Sequence, residues 1–156
     1  MKRDVNSKSQ GMVDVSAKDL TKRVARAMAA IKMNKTTFAI MLKEGSPKGN
    51  IFETARVAGV MAAKSTPAII PLCHPLALSK ASVHFEPDKS KSRLVITSEI
   101  SCIGPTGVEM EALTAVTVAA LTVYDMMKWS DKAMEISDVK LLYKSGGKSG
   151  KFERKG

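Results

Sequence analysis

The longest apolar stretch of the chain runs from Thr106 to Trp129 and predicts its central helix. Thr106 and Glu109 have the spacing of a capping box at its start. Val, Leu, Ala and Met dominate the stretch, and it holds no Gly or Pro after Gly107. At 3.6 residues per turn the polar positions share an arc of about 140°. Those positions are Glu111, Thr114, Thr117, Thr122, Asp125 and Lys128. The pattern predicts a nearly buried helix with one polar stripe.

The two acidic ends of this stripe are far apart. Glu111 and Asp125 are separated by fourteen positions, which is about 21 Å along a helix axis. One small ligand does not reach both on a single chain. Either they serve different sites, or one site is assembled from helix ends in neighbouring subunits. We favour the shared site, because the helix is apolar on more faces than one sheet can cover.

The first half of the chain predicts one ambiguous segment and two helices. Arg23–Met33 alternates as a strand does, but its many alanines favour a helix. Thr36–Glu44 predicts a short helix that Gly45 ends. Asn50 can cap a second helix that runs to about Lys64.

The second half of the chain predicts strands on either side of the central helix. Residues 67–75 contain three prolines, which exclude a helix there. Ser79–Glu86, Arg93–Ile103 and Met134–Lys144 alternate between apolar and polar residues. The positions expected to face inward or to share one face are Ala81, Val83, Phe85, Leu94, Ile96, Ile100, Cys102, and then Val139, Leu141 and Tyr143. The order of strand, helices, two strands, helix and strand predicts an α+β ferredoxin-like sandwich, with an antiparallel sheet and helices packed on one face.

Length and composition predict one cytoplasmic domain with an anionic partner. The chain has 156 residues, a net charge of +10 and a pI of about 9.7. No leader pattern opens it, and no apolar run reads as a membrane span. Residues 1–11 are expected to be a disordered tail, 12–150 a single domain, and 146–156 a flexible segment that ends in a basic tail over 151–156. Two cysteines predict free thiols rather than a disulfide framework.

Asp125 and Lys128 are candidates for acid–base chemistry. They lie three positions apart on one helix face, so they form either a general acid–base pair or an ordinary salt bridge. His74, held between Pro71 and Pro75, is either a structural histidine or an imidazole beside an anionic ligand. Its neighbour in sequence, Cys73, is badly placed for a Cys–His nucleophilic pair. No metal-ligand spacing is present, so we expect no metal.

Several further residues fit an anionic small molecule. Glu111 can accept a hydrogen bond from an amide-like N–H edge or simply stabilise the start of the helix. Gly146–Gly150 contains Gly-Gly-Lys-Ser-Gly but is not a phosphate-binding Walker loop, because Leu142 occupies the position of the first glycine and no helix follows. The loop lysines form a second set of candidates. They are Lys48, Lys64, Lys144 and Lys148.

Five segments closely resemble the cyclic pyranopterin monophosphate synthase family, MoaC, of molybdenum cofactor biosynthesis. They are MVDVSAK at 12–18, KGNIFETARVAGVMAAK at 48–64, IPLCHPLALSK at 70–80, TGVEMEALTAVTVAALTVYDMMK at 106–128 and KSGGKSG at 144–150. The resemblance covers about residues 12–152 in one register. It implies a ferredoxin-like fold and a homohexamer, a trimer of dimers with its active site at the dimer interface.

The resemblance also implies a lyase reaction and the residues that carry it. A radical S-adenosylmethionine GTP cyclase supplies (8S)-3′,8-cyclo-7,8-dihydroguanosine 5′-triphosphate, and the family converts this to cyclic pyranopterin monophosphate with release of diphosphate. Asp125 is the implied catalytic residue, with Lys128 and Lys48 beside it. The implied substrate-binding residues are Leu72, Cys73, His74, Met110, Glu111, Lys64, Lys144, Lys148 and Arg23. The reaction has no redox step, so no cofactor is expected.

Two other classes of protein compete with this interpretation. The charge of +10 favours a nucleic-acid-binding α+β domain without catalysis, but aromatic residues make up only 4% of the chain, few for stacking on bases. The apolar helix favours a non-catalytic oligomeric scaffold. Such a scaffold predicts that Asp125→Asn leaves function intact.

Overall fold

The computed structural model describes residues 11–155. The tail predicted for residues 1–11 lies, apart from its last residue, outside them. The strands are β1 Thr21–Lys32, β2 Leu78–Asp88, β3 Arg93–Gly104, β4 Glu135–Ser145 and β5 Phe152–Glu153. The helices are α1 Lys35–Lys43, α2 Ile51–Lys64, α3 Thr66–Ile69 and α4 Glu109–Met127.

One antiparallel sheet forms the base of the molecule. Its strands lie in the order β2-β3-β1-β4-β5, so β1 is central. The ambiguous segment 23–33 is therefore a strand, and Ala25, Ala27 and Ala29 are completely buried on its inner face. Helices α2 and α4 pack on that face. The architecture confirms the predicted α+β ferredoxin-like sandwich.

Close helix packing explains the small residues of α2. A Cβ atom built on Gly59 would lie 2.9 Å from the Ala115 carbonyl oxygen and 3.3 Å from the Ala119 Cβ. Only glycine leaves α2 this close to α4. Ser46, just before α2, contacts Met126 at the end of α4. The two helices therefore run antiparallel, and the C-terminal end of α2 lies toward the start of α4.

Helix starts were partly predictable. The Asn50 side chain accepts from Glu53 N at 3.1 Å, which confirms the predicted cap of α2. Asn34 caps α1 in the same way. The exclusion of a helix from 67–75 is wrong at its first residues, because α3 includes Pro67. Proline is tolerated in the first turn, where its missing N–H would have no intrahelical partner.

The predicted capping box at the start of α4 is wrong. The N-cap is Val108, with no side-chain cap bond, and Glu109 is already the first helical residue. The helix therefore begins three residues after Thr106. The carboxylate of Glu109 folds back against Gly107 and lies 3.8 Å from Lys144. A long-range ion pair has replaced the expected local cap.

The expectation for β4 is also wrong in one respect. Arg26 pairs with Tyr143 while the next residue of β1, Ala27, pairs with Leu141, so Leu142 is an extra residue in β4. This bulge interrupts the alternation of side chains along β4, so residues on its two sides that are two positions apart face opposite sides of the sheet. Leu141 packs on the core. Tyr143 lies on the opposite face, where the Arg26 Cζ is 4.5 Å from the centroid of the tyrosine ring.

The segment predicted to be flexible, 146–156, contains a strand. Phe152–Glu153 pairs with β4 through Lys144 and Tyr143. The Arg154 backbone N–H also donates to the Leu142 carbonyl at 2.8 Å. Paired backbone groups thus order residues 152–154 within the stretch that composition alone assigned to a tail.

Helix α4 has the length and hydropathy of a membrane-spanning segment. It spans 19 residues and is long and apolar enough to cross a membrane. Ten of its residues are buried, and it lies against β1, β3, β4 and α2. These contacts are those of a core helix.

Candidate functional site

Three charged side chains meet at the C-terminal end of α4. Lys48 Nζ lies 2.6 Å from Asp125 Oδ2, and Lys128 Nζ lies 2.8 Å from Asp125 Oδ1. All three side chains are about half exposed, at 51, 49 and 52%. We call these residues the Asp125 cluster. Lys128 and Asp125 are helix neighbours, whereas Lys48 comes from the loop between α1 and α2.

The cations hold Asp125 in its ionised form. Hydrogen bonds from Lys128 and then from Lys48 lower the pKa of Asp125 to about 2. The same contact raises the pKa of Lys128. The cluster therefore carries one anion and two cations at neutral pH. Its net positive charge lies on half-exposed side chains, where it can attract a phosphate.

The opposite end of α4 carries a buried carboxylate. Glu111 is only 3% exposed, and burial, assisted by the negative charge of Glu109, raises its pKa. The thiols of Cys73 and Cys102 lie near Glu111. Burial and the negative charge of Glu111 both raise the pKa values of these thiols. Burying a polar group without hydrogen-bond partners is costly, so this carboxyl group is suited to binding the polar groups of a ligand.

Basic side chains from β4 and β1 lie beside the start of α4. Lys144, 18% exposed, lies 3.8 Å from Glu109 and contacts Ser149. Arg23 is buried, and its Nε and Nη2 donate to the carbonyls of Gly104 and Pro105 at 3.2 and 3.1 Å. Arg23 thus fixes the loop that leads into α4.

The segment that follows α3 supplies three more of the predicted residues. The Nε2–H of His74 donates to the Val13 carbonyl at 2.8 Å. In the neutral imidazole this leaves Nδ1 as a free acceptor. Cys73 is partly buried, whereas Leu72 is 61% exposed and Met110, on α4, is 37% exposed.

Two predicted lysines are exposed at the same end of the molecule. Lys64 ends α2, which runs antiparallel to α4, so it lies toward Glu111. Lys148 lies in the loop between β4 and β5. We call this end the Glu111 cluster. It consists of Arg23, Lys64, Leu72, Cys73, His74, Met110, Glu111, Lys144 and Lys148.

The structure therefore divides the predicted site into two clusters at the two ends of α4. It does not bring Glu111 to Asp125 within one chain, as the helix length required. Sequence reasoning missed the role of Glu109 as the partner of Lys144, because 35 positions separate the pair. It also missed Ser46, whose hydroxyl contacts the Met126 carbonyl at the end of α4. Neither has a local sequence signal.

The fold and these clusters define a ferredoxin-like α+β protein with one carboxylate paired to two lysines and a buried carboxyl group on the same helix. Comparison with known proteins identifies it further. The MoaC family model matches residues 12–147, so the chain belongs to the MoaC family.

Three curated relatives share one name. Proteins called cyclic pyranopterin monophosphate synthase are 54% identical over 145 residues in Pelotomaculum thermopropionicum, 52% over 151 in Magnetococcus marinus and 55% over 139 in Rhodospirillum rubrum. These alignments cover 93, 97 and 89% of this chain and 85, 92 and 84% of the relatives. The predicted family is confirmed.

Proposed function

We propose that this chain is a cyclic pyranopterin monophosphate synthase, a lyase of molybdenum cofactor biosynthesis. It converts (8S)-3′,8-cyclo-7,8-dihydroguanosine 5′-triphosphate to cyclic pyranopterin monophosphate and releases diphosphate. The observation that carries the proposal is identity of 52–55% with proteins of that name across 89–97% of the chain. Residues 12–150 form the catalytic domain, which works in the cytoplasm on the product of a radical S-adenosylmethionine cyclase.

The chemistry requires both positive charge and proton transfer. A cyclic monophosphate forms when an oxygen of the substrate displaces diphosphate from the α-phosphorus. That oxygen loses a proton, and the departing diphosphate gains negative charge that lysines stabilise. Opening the purine ring and rebuilding it as a pterin needs further proton transfers. Lys48, Lys64, Lys144 and Lys148 supply the charge.

Asp125 becomes a stronger base when substrate arrives. In the free chain both of its oxygens are held by ammonium groups, and its pKa is lowered to about 2. A triphosphate that draws Lys48 toward itself removes one of these cations and raises the pKa of Asp125. Lys128, whose pKa is raised, remains protonated and acts as the acid.

The two clusters form one site only when two copies meet. Glu111, Met110 and the segment 72–74 bind the guanine-derived part of the substrate on one protomer. The Asp125 cluster of a neighbouring protomer then reaches the same substrate. A two-fold interface produces two such sites, and three dimers make the proposed hexamer.

Subunit mixing tests the shared site. Asp125→Asn and Glu111→Gln variants are each expected to be inactive. When equal amounts of the two variants are unfolded together and refolded, half of the dimers contain one copy of each variant. Each of these mixed dimers has one intact site. Activity should therefore return to about a quarter of the wild-type value. Diphosphate release and pterin fluorescence measure it.

The outcome separates the two arrangements cleanly. If each site lies within one protomer, every site in the mixture carries one lesion and no activity returns. Two preparations of the same variant, refolded together, control for reactivation by refolding itself. Gel filtration at a mass near one chain would also contradict the proposal.

A further inference from the structure

The loop that carries Lys48 has no helix or strand of its own. Ser46-Pro47-Lys48-Gly49 forms a turn in which Gly49 N donates to the Ser46 carbonyl at 2.9 Å. Proline in the second position suits such a turn. The glycines on either side, Gly45 and Gly49, have φ values of 81° and 108°, which other residues rarely adopt. The turn has a defined shape, but that shape alone does not aim Lys48 at Asp125.

One side chain joins this turn to α4. The Ser46 hydroxyl donates to the Met126 carbonyl at 2.7 Å, and the Lys48 backbone N–H donates to the same hydroxyl oxygen at 3.2 Å. Met126 follows Asp125 directly, and its carbonyl is among the last four of α4, which have no partner within the helix. A single hydroxyl therefore links the backbone beside Lys48 to the backbone beside Asp125.

We propose that Ser46 is a positioning residue for the reaction: it holds the turn against α4 so that Lys48 stays on Asp125. The lysine side chain is long and half exposed, so its own ion pair holds it only weakly. Fixing the Lys48 backbone removes conformations in which Nζ lies away from the Asp125 carboxylate. The inference rests on the proposed function only for its effect on turnover.

Ser46→Ala removes the link, whereas Ser46→Thr keeps the hydroxyl. We expect Ser46→Ala to lower kcat about threefold to tenfold, the range for losing one hydrogen bond, and Ser46→Thr to restore most of it. Ser82→Ala is the matched control, since that hydroxyl also donates to a backbone carbonyl, that of Glu99 at 3.3 Å, but on the helix-free face of the sheet. It should leave kcat unchanged.

A double-mutant cycle with Lys48 tests whether Ser46 acts through it. In a Lys48→Ala background, Ser46→Ala should cause no further loss of kcat. An equal loss in both backgrounds would overturn the proposal, because Ser46 would then act independently of Lys48. Equal unfolding midpoints of the wild type and Ser46→Ala exclude a general loss of structure.

Titration of the Asp125 carboxyl by ¹³C nuclear magnetic resonance gives a readout that does not depend on turnover. Ser46→Ala should raise the pKa of Asp125 toward its value in Lys48→Ala, and Ser46→Thr should return it to the wild-type value. An unchanged titration in Ser46→Ala would refute the positioning role even in an active enzyme. If the wild type does not turn over the cyclised GTP derivative, the proposed function fails, while the titration still decides the role of Ser46.

Discussion

The two ends of α4 hold carboxylates in opposite environments. Glu111 is 3% exposed, and burial raises its pKa. Asp125 is half exposed, and two ammonium groups lower its pKa to about 2. Desolvation favours the neutral acid, whereas nearby cations favour the ion. Position on one polar stripe therefore says little about protonation, which depends on the elements that meet each end.

This difference matches a division of labour within the proposed shared site. A buried carboxyl group with two thiols nearby is suited to recognising polar edges of a ring through directed hydrogen bonds. A half-exposed carboxylate with two lysines handles phosphate charge and protons. Of the two ends, the Asp125 end alone pairs an ionised carboxylate with two lysines, whereas Lys64, Lys144 and Lys148 bring positive charge to the Glu111 end. The comparison can be tested at each end separately.

The largest effect is expected from Asp125→Asn. The amide keeps the shape of the carboxylate but neither binds two cations nor accepts a proton. We expect kcat to fall by about 10² to 10⁴-fold, the range for losing a general base. Diphosphate release measures it. Glu99→Gln is the control, because Glu99 also accepts from a lysine at 2.6 Å, on the helix-free face. A loss below about tenfold would refute the catalytic role.

Glu111→Gln should raise the free energy of unfolding at neutral pH while it abolishes activity. The folded-state pKa of Glu111 lies above the ordinary value of 4.5, so folding favours its protonated form. Its stabilising contribution is complete below pH 4.5 and is lost as the pH rises through the raised pKa. At pH 7 the variant should be more stable to unfolding by about 1 to 3 kcal/mol, because the glutamine amide does not ionise and the cost of a buried unpaired charge is avoided.

Urea unfolding at a series of pH values checks this expectation. The wild type should lose stability relative to Glu111→Gln as the pH rises above 4.5, and the two should converge below it. Parallel curves would show that a cation balances Glu111 in the folded protein. The raised pKa would then be absent, and the contrast between the two ends of α4 would fail.

Much of the fold was predictable because its signals are local. Asn50 precedes an apolar run and caps α2, and the alternation in 93–103 places Leu94 and Ile96 in the core. The ferredoxin-like order then follows from the sequence of elements. Local signals failed where a distant residue competed. Glu109 has the spacing of a capping box with Thr106, but its carboxylate lies beside Lys144.

The site was predictable in its residues but not in its geometry. Periodicity placed Asp125 beside Lys128, because three positions on a helix bring side chains together. The third member, Lys48, is 77 positions away. Its loop position made it a candidate for binding an anion, but only the family resemblance placed it beside Asp125. The Leu142 bulge, which separates Tyr143 from Leu141, also has no sequence signal. Contacts of this kind depend on how complete elements pack.

Gly147→Ala should damage the Glu111 end alone. Gly147 has a φ of 74°, and a Cβ atom there would collide with the Arg23 guanidinium. The collision displaces Arg23 from the carbonyls that it holds in the loop before α4. We expect KM to rise about tenfold, a typical cost of one lost charged hydrogen bond, with a smaller change in kcat.

A matched glycine separates the collision from backbone strain. Gly150 has a φ of 66°, but a Cβ atom there meets nothing within 4 Å. Gly150→Ala therefore carries the strain without the collision, and its KM should stay near the wild-type value. If both variants raise KM equally, Arg23 is not the cause. The pKa of Asp125 should be unchanged in both.

The smallest effect sharpens the comparison at the Asp125 end. Removing either lysine should raise the pKa of Asp125 from about 2 toward its ordinary 3.8, and Lys128→Ala should raise it more than Lys48→Ala because the hydrogen bond from Lys128 contributes most. Titration of the Asp125 carboxyl by nuclear magnetic resonance measures both values.

Stability linked to Asp125 is present above pH 3.8 and is lost as the pH falls toward 2. A larger shift in Lys48→Ala would mean that the loop lysine dominates the cluster. Asp125 would then depend chiefly on a residue that substrate can draw away, rather than on its helix neighbour.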